Sequence, residues 1–350
     1  MIVMTICAVI CGADDWVSVA LFGNAKLAWF RTFLDLPNGI PSHDTFGRVF
    51  ARLDPERFQE CFLAWIQAVS EITHGQVIAF DGKVLRGSCE RGLGKAGIDM
   101  VSAWATANHL VLGQIKVDDK SNEITALPKL LQVLEIAGCI VTIDAIGCQT
   151  AIAQTAVDRN ADYVFAVKEN QGHLYEDITG LFDAAQEVNF KDVPHDYCKT
   201  TDKGHGRLEI RQCWTIADAT LVDYLRNREG WPNLQTIVKV VSERRVNGET
   251  TIEARYFISS LPGDAGRLLH AVRSHWGIEN SLHWVLDIAF NEDHHRLRKD
   301  NGPANFAVFR HIALNLLKHE TTIKAGIKAK RLRAGWDESY LLKVLVGPSN

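Results

Sequence analysis

Apolar residues recur at helical spacing through the first part of the chain and change to strand-like runs near Gln76. An apolar opening stretch leads into a helical pattern from Trp16 to Phe33, and Leu36-Pro-Asn-Gly-Ile-Pro41 breaks it. Ser42-His-Asp44 caps a helix carrying Phe46, Val49 and Phe50. Asp54-Pro55 opens another, with Phe58, Phe62, Trp65, Ile66 and Val69 on one face. Beyond Gln76, residues 77–85, 98–107 and 109–117 are rich in β-branched and apolar side chains and separated by short polar turns, which predicts an antiparallel meander. A helix is expected over 123–137, with Ile124, Leu127, Leu130, Leu131 and Leu134 on one face. Strand 140–144, helix 150–159 and strand 163–167 follow.

The order β-β-β-α-β-α-β is that of a ribonuclease-H-like α/β core. Residues 207–216, 235–245 and 250–259 again look like strands, with Asn247-Gly248 as a hairpin turn. They predict a β-rich insertion ahead of a helix over roughly 266–289 and a basic helical tail. The expected organisation is a helical subdomain (1–75), the first part of the core (76–194), the insertion (195–260), and a segment with the last core helix and tail (261–350).

Composition narrows the function classes. With 350 residues, 47% hydrophobic and 23% charged, the chain can bury a full core. A formal charge of −4 is unlike a small basic DNA-binding module, so nucleic-acid contact must come from local patches. The eight cysteines form no CxxC pair and read as reduced thiols of a cytoplasmic protein. The opening Met1–Gly12 lacks a positive n-region and reads as a core helix rather than a signal sequence. No stretch reaches the roughly 18 apolar residues of a membrane span.

The candidate chemistry lies in two acidic strand ends, Val77-Ile-Ala-Phe-Asp81-Gly-Lys83 and Ile140-Val-Thr-Ile-Asp144, and in Glu279 on the later helix. Three carboxylates gathered by a sheet and a helix repel one another unless a divalent cation sits between them. On an uninterrupted helix, Leu268, Val272, Trp276, Glu279, His283 and Leu286 share one face, so Glu279 is expected to point inward. Bland readings stay open for each residue: Asp81 as a turn residue, Asp144 as an N-cap, Glu279 as the partner of Arg273 or His275.

Other features are weaker. Glu292-Asp293-His294-His295 has metal-ligand types but reads equally well as a loop. The glycine-rich stretch from Gly87 to Gly97 lacks GxGxxG placement, and no GxSxG or HExxH occurs. Asn170-Gln171, after Lys168, reads either as a DNA contact or as a strand end. Two basic clusters, Arg296-Leu-Arg298-Lys299 and the run from Lys318 to Arg333, suit phosphate contacts or a solvated helix face.

These stretches carry a family resemblance over nearly the whole chain. Leu36–Arg48, Phe80-Asp-Gly-Lys83 with Arg86-Gly-Ser88, Val101–Trp104, Lys120–Ala126, Thr142–Ala145 with Cys148-Gln149, Lys168–Gln171, and His275–Asn280 with Leu282–Asp287 match in order. The chain resembles bacterial insertion-sequence transposases of the DDE type, the H-repeat-associated proteins of the insertion-sequence-four-like group. The resemblance implies metal and catalytic roles for Asp81, Asp144 and Glu279, and two Mg²⁺ ions roughly 3.5–4 Å apart, replaceable by Mn²⁺. Asp81 would bridge the ions. Double-stranded DNA is the implied partner, met by Lys83, Arg86, Lys168, Asn170, Gln171, Arg273, His275, Arg296 and Arg298, and a homodimer on paired ends is implied.

The chain departs from the group in places. The tyrosine–arginine–glutamate–lysine signature would put tyrosine, arginine and lysine at Val272, His275 and Leu286, and Asp99 stands where relatives carry a histidine. The start falls late, as expected of a degenerate element or an alternative start. Two rivals fit the same residues: a nuclease on the same fold that never joins ends, and a DNA-binding remnant without catalysis.

Overall fold

Side-chain alternation and helical spacing translate into a mixed α/β architecture in a computed structural model, which describes residues 1–69, 74–89, 97–117, 122–204 and 206–347. Most of the Gly87–Gly97 stretch and the start of the Lys120–Ala126 match lie outside these residues. The helices α1 (Ile2–Ile10), α2 (Trp16–Ala25), α3 (Leu27–Phe30), α4 (His43–Arg52) and α5 (Pro55–Val69) come first. Next are β1 (Val77–Leu85), β2 (Ile98–Ala105), β3 (Leu110–Lys116), α6 (Glu123–Val133), β4 (Ile140–Ile143), α7 (Thr150–Asp158), β5 (Asp162–Val167) and α8 (Gly172–Glu187). Then follow β6 (Asp196–Gly204), β7 (Arg207–Ile216), α9 (Ala219–Val222), β8 (Thr236–Val246) and β9 (Glu249–Ser259). The chain closes with α10 (Ala265–His275), α11 (Trp284–Phe290), α12 (Gly302–His319), α13 (Ile327–Trp336) and α14 (Glu338–Val346).

The described strands form one sheet in the order β3-β2-β1-β4-β5-β9-β8-β7-β6. β1, β2 and β3 pair antiparallel, whereas β1, β4 and β5 run parallel. Burial on both faces explains the unbroken apolar runs of β1 and β4. The insertion does not form a sheet of its own: β9 pairs with β5 and carries β8, β7 and β6 outward. β6 and α8 lie outside the elements expected from sequence. β6, with Lys199, Thr200, Thr201, Asp202 and Lys203, is a polar edge strand, so it shows little hydrophobic alternation.

The first and last helices share a core. Trp16 stacks on Phe50 at 4.9 Å and meets Phe306 of α12 edge-on, and Asn305 donates to the carbonyls of Phe50 and Leu53. Helix α12 is buried nearly all round, with Arg310 donating to Glu292 and Asn315 bonded to the backbone of Val111. No helix of the described residues is long and apolar enough to cross a membrane.

The single helix expected over 266–289 is instead broken. Asp264 caps α10, which ends at His275, and residues Glu279–His283 form a wider π turn before α11. Ile278, Leu282 and Leu286 are buried, while Glu279, the first residue of the π turn, is exposed. This overturns the inward orientation of Glu279 drawn from uninterrupted periodicity, and Trp276 on the same expected face is also 37% exposed.

Candidate active site

Register brings the two aspartates together. Phe80 of β1 pairs with Ile143 of β4, so the next residues, Asp81 and Asp144, stand side by side where the β1–β4 pairing ends. The chain leaves β1 toward β2 and β4 toward β5, on opposite sides, which makes this the crevice where open α/β sheets place ligands. Alternation puts Val77, Ala79 and Asp81 on one face, and Ile140, Thr142 and Asp144 on the same face of the neighbouring strand. Helix α10 lies over that face: Val77 and Ile140 pack with Leu268, Leu269 and Val272, and Thr142 Oγ1 lies 3.1 Å from His275 Nδ1. The helix thereby delivers the Glu279 turn to the carboxyl ends of β1 and β4.

The electrostatics register this gathering of like charge. Burial pushes the Asp81 carboxyl up to about 7, and the charges of Asp144, Glu279 and Glu123 push in the same direction. The Gly82 N–H, 2.9 Å from Asp81 Oδ1, opposes them only in part. His283 Nδ1 stands 3.4 Å from Asp81 Oδ2, and burial together with Lys83 holds this imidazole near 4, neutral at pH 7. Burial likewise lowers His275 to about 4, although Asp144 favours its charged form. Asp144 Oδ1 accepts from the Gly147 N–H at 3.3 Å, a turn-capping contact.

Glu123, in the first turn of α6, is a fourth carboxylate of the site that the sequence reading treated only as a helix start. Burial raises it, with Asp144 and Asp99 adding to the shift. Its carboxylate occupies the space a Cβ on residue 82 would need, 1.8 Å from the Oε1 atom, so a larger residue there would displace the Glu123 tip. An acidic residue opening a helix beside a strand-end aspartate and a glycine was the available signal.

A metal fits this donor set by its chemistry. The groups are hard carboxylate oxygens, the type Mg²⁺ and Mn²⁺ take, and their mutual repulsion is what a divalent ion relieves. Among the described residues, however, no three His, Cys, Asp or Glu side chains converge closely enough, as they stand, to hold one ion.

The remaining expected site residues fall into two groups. Arg86 and Lys168 are exposed, and so are Arg296 and Arg298, which line a cleft of about 1000 Å³ with Lys299 and with His43 and Arg48 of α4. The others bond within the chain, Arg273 and Asn170 while remaining exposed. Lys83 pairs with Asp287 and Glu292, Arg273 pairs with Asp202 at 2.8 Å, and His275 bonds Thr142. The amide nitrogens of Asn170 and Gln171 donate to the carbonyls of Ala145 and Cys148, bracing the loop after Asp144. Glu292 itself is a structural anion. Burial alone would raise it, but Lys83 and Arg310 overcome that and hold it near 2. The basic tail also turns partly inward: Lys330 bonds the Leu317 carbonyl and Arg331 the Val9 carbonyl.

Comparison with known proteins defines the class. Residues 73–316 match the family described as Transposase DDE domain, and residues 1–66 match the DDE_Tnp_1-associated family. The chain belongs to the DDE transposase family. Within it, the chain is 40% identical to "Putative transposase YncI" of Escherichia coli O157:H7 over 99% of its own length and 88% of that protein. It is also 40% identical to "H repeat-associated putative transposase YhhI" of Escherichia coli K12, over 99% and 92% of the two chains. A piggyBac transposase synaptic complex with hairpin DNA superposes over 98% of this chain and 82% of that one. The TM-score of 0.41 and 11% identity make this too loose a match to bear on function.

Proposed function

We propose that the chain cleaves DNA at the ends of an insertion sequence and joins the freed ends to target DNA, on a ribonuclease-H-like core. The observation that carries this reading is the side-by-side placement of Asp81 and Asp144 where the parallel β1–β4 pairing ends, with the charge of Glu279 bearing on Asp81. Asp81, Asp144 and Glu279 would hold the divalent ions. Bound there, Mg²⁺ supplies Lewis acidity to the attacked phosphodiester and lowers the pKa of an attacking water or 3′-hydroxyl.

The chain's own groups prepare this chemistry. The Gly82 N–H and His283 hold the Asp81 carboxylate from two sides, and the Gly147 N–H holds Asp144. Neutral His275 fixes the end of α10 to Thr142 and so sets where the Glu279 turn begins. Cleavage exchanges one P–O bond for another and leaves a 3′-hydroxyl. Joining repeats the exchange with that hydroxyl as nucleophile, so no external energy source is needed. The cleft lined by His43, Arg48, Arg296, Arg298 and Lys299 would position duplex backbone without reading its sequence. Since Val272 and Leu286 are buried, the backbone contacts of the wider group's tyrosine and lysine have no counterpart at those two positions.

The test is incubation of the chain with Mg²⁺, a labelled duplex bearing the element's terminal repeat, and a supercoiled plasmid. Labelled plasmid product is expected. Hydrolysis without joining would identify a nuclease, and binding without nicking a non-catalytic remnant.

A further inference from the structure

Glu279 sits at the start of a π turn, a conformation less favourable than the α-helix and found mostly where a functional group must be displaced. The Trp284 N–H reaches back five residues to the Glu279 carbonyl. Such a turn relaxes to ordinary helix unless neighbouring groups hold it. Two groups meet it from below and from the side.

The floor is Trp104 of β2. It is fully buried and paired with Ala79, two residues before Asp81, and a Cβ on Gly277 would lie 3.8 Å from its Nε1. The side is Lys318 of α12, whose Nζ lies 4.2 Å from the centre of the Trp104 ring and donates to the Ser281 carbonyl, inside the turn, at 3.0 Å. Burial pushes this ammonium down to about 8, and among the described residues no carboxylate pairs with it. A half-buried cation that donates to a carbonyl and rests on an indole face, with His109 nearby, marks a specific placement.

Lys318 is itself held. One turn earlier, Asn315 bonds both the N–H and the carbonyl of Val111 at 2.9 Å. Val111 stands opposite Trp104, where the β2–β3 register shifts between Ala103 and Trp104. Irregularities of this kind re-aim side chains beside active sites. A continuous chain of contacts therefore runs from the irregularity through Asn315 and Lys318 to Ser281 and the turn carrying Glu279.

We infer that Lys318 is a positioning residue for the proposed reaction: bonded to Ser281 and seated on Trp104, it holds the widened turn in the form that presents Glu279 to the metal site. The inference rests on the role proposed for Glu279. Lys318 reads from sequence as part of a phosphate-binding basic run, whereas its contacts direct it inward.

The test compares the wild-type full chain with Lys318→Met and Lys318→Arg. Hydrogen exchange of the amides of residues 279–284 is measured without metal, beside the Mg²⁺ concentration for half-maximal cleavage and the affinity for the terminal-repeat duplex. Loss of a charge-assisted hydrogen bond should speed exchange of these amides about tenfold in Lys318→Met. The half-saturating Mg²⁺ should rise about tenfold as Glu279 loses its place, with DNA affinity unchanged. Lys318→Arg, which keeps a cation and a donor, should restore both. Unchanged exchange in Lys318→Met would overturn the clamp, and so would a lowered melting temperature with no change in Mg²⁺ requirement, which indicates packing alone. Absence of cleavage by the wild type would refute the transposase reading, an outcome separate from the exchange result.

Discussion

Replacing Asp81 by asparagine should make the metal-free protein more stable. Burial and the surrounding carboxylates raise Asp81 from 3.8 to about 7. The folded state thus binds the proton more tightly than the unfolded chain. For an acid shifted in this direction the penalty is absent below the unfolded value. It grows as pH rises from about 4 to 7 and is complete above 7. At about 1.4 kcal/mol per unit, the unscreened cost of the ionised form is about 4 kcal/mol. One fifth of the side chain stays exposed, and screening there brings the expected gain of the variant to about 2 kcal/mol. Asparagine keeps the oxygen that accepts from Gly82, so the local backbone is retained.

For a chain of this length that gain corresponds to a melting temperature roughly 3 °C higher. The assay is thermal unfolding of wild type and Asp81→Asn in EDTA at pH 8 and at pH 4.5, repeated at pH 8 with saturating Mg²⁺. The difference should be present at pH 8, small at pH 4.5, and reversed by Mg²⁺, which stabilises only a chain able to bind it. A variant no more stable than wild type at pH 8 in EDTA would refute the reasoning, because Asp81 would then carry no electrostatic strain.

Two further substitutions probe the surrounding charges. Glu123→Gln removes one of the charges raising Asp81, so the Asp81 titration followed by carboxyl ¹³C NMR should move to lower pH; an unchanged midpoint would place Glu123 outside the site. Lys83→Met leaves the buried Glu292 with Arg310 as its remaining cation and should cost about 3–5 kcal/mol in urea unfolding, and a loss under 1 kcal/mol would mean the pair is not needed. Glu292 also predicts an acid limb: held near 2 against an ordinary 4.5, it adds stability that is complete above 4.5 and lost as pH falls toward 2. Glu292→Gln should flatten that limb, and an unaltered acid unfolding profile would count against it.

Much of the central architecture is legible because an apolar run precedes Asp81 within β1 and another precedes Asp144 after β4, and parallel pairing turns that coincidence into adjacency. The orientation of Glu279 is not legible, because α10 stops at His275 and a π turn opens at Glu279, and no local residue pattern announces either break. Lys83, Lys330 and Arg331 look like phosphate-binding cations in sequence. Their partners, Glu292, the Leu317 carbonyl and the Val9 carbonyl, lie 209, 13 and 322 residues away, so only the tertiary fold reveals that they face inward. Glu123 escapes for the same reason: its relation to Gly82 depends on how α6 crosses the sheet.

The central claim is that Asp81, Asp144 and Glu279 form one metal-dependent centre. It is tested most directly by Mg²⁺-dependent cleavage of a labelled terminal-repeat duplex by wild type, Asp81→Asn, Asp144→Asn and Glu279→Gln, with DNA binding measured in parallel. Cleavage by the wild type alone and comparable binding by all four are expected. Full cleavage by any one of the three variants would contradict it.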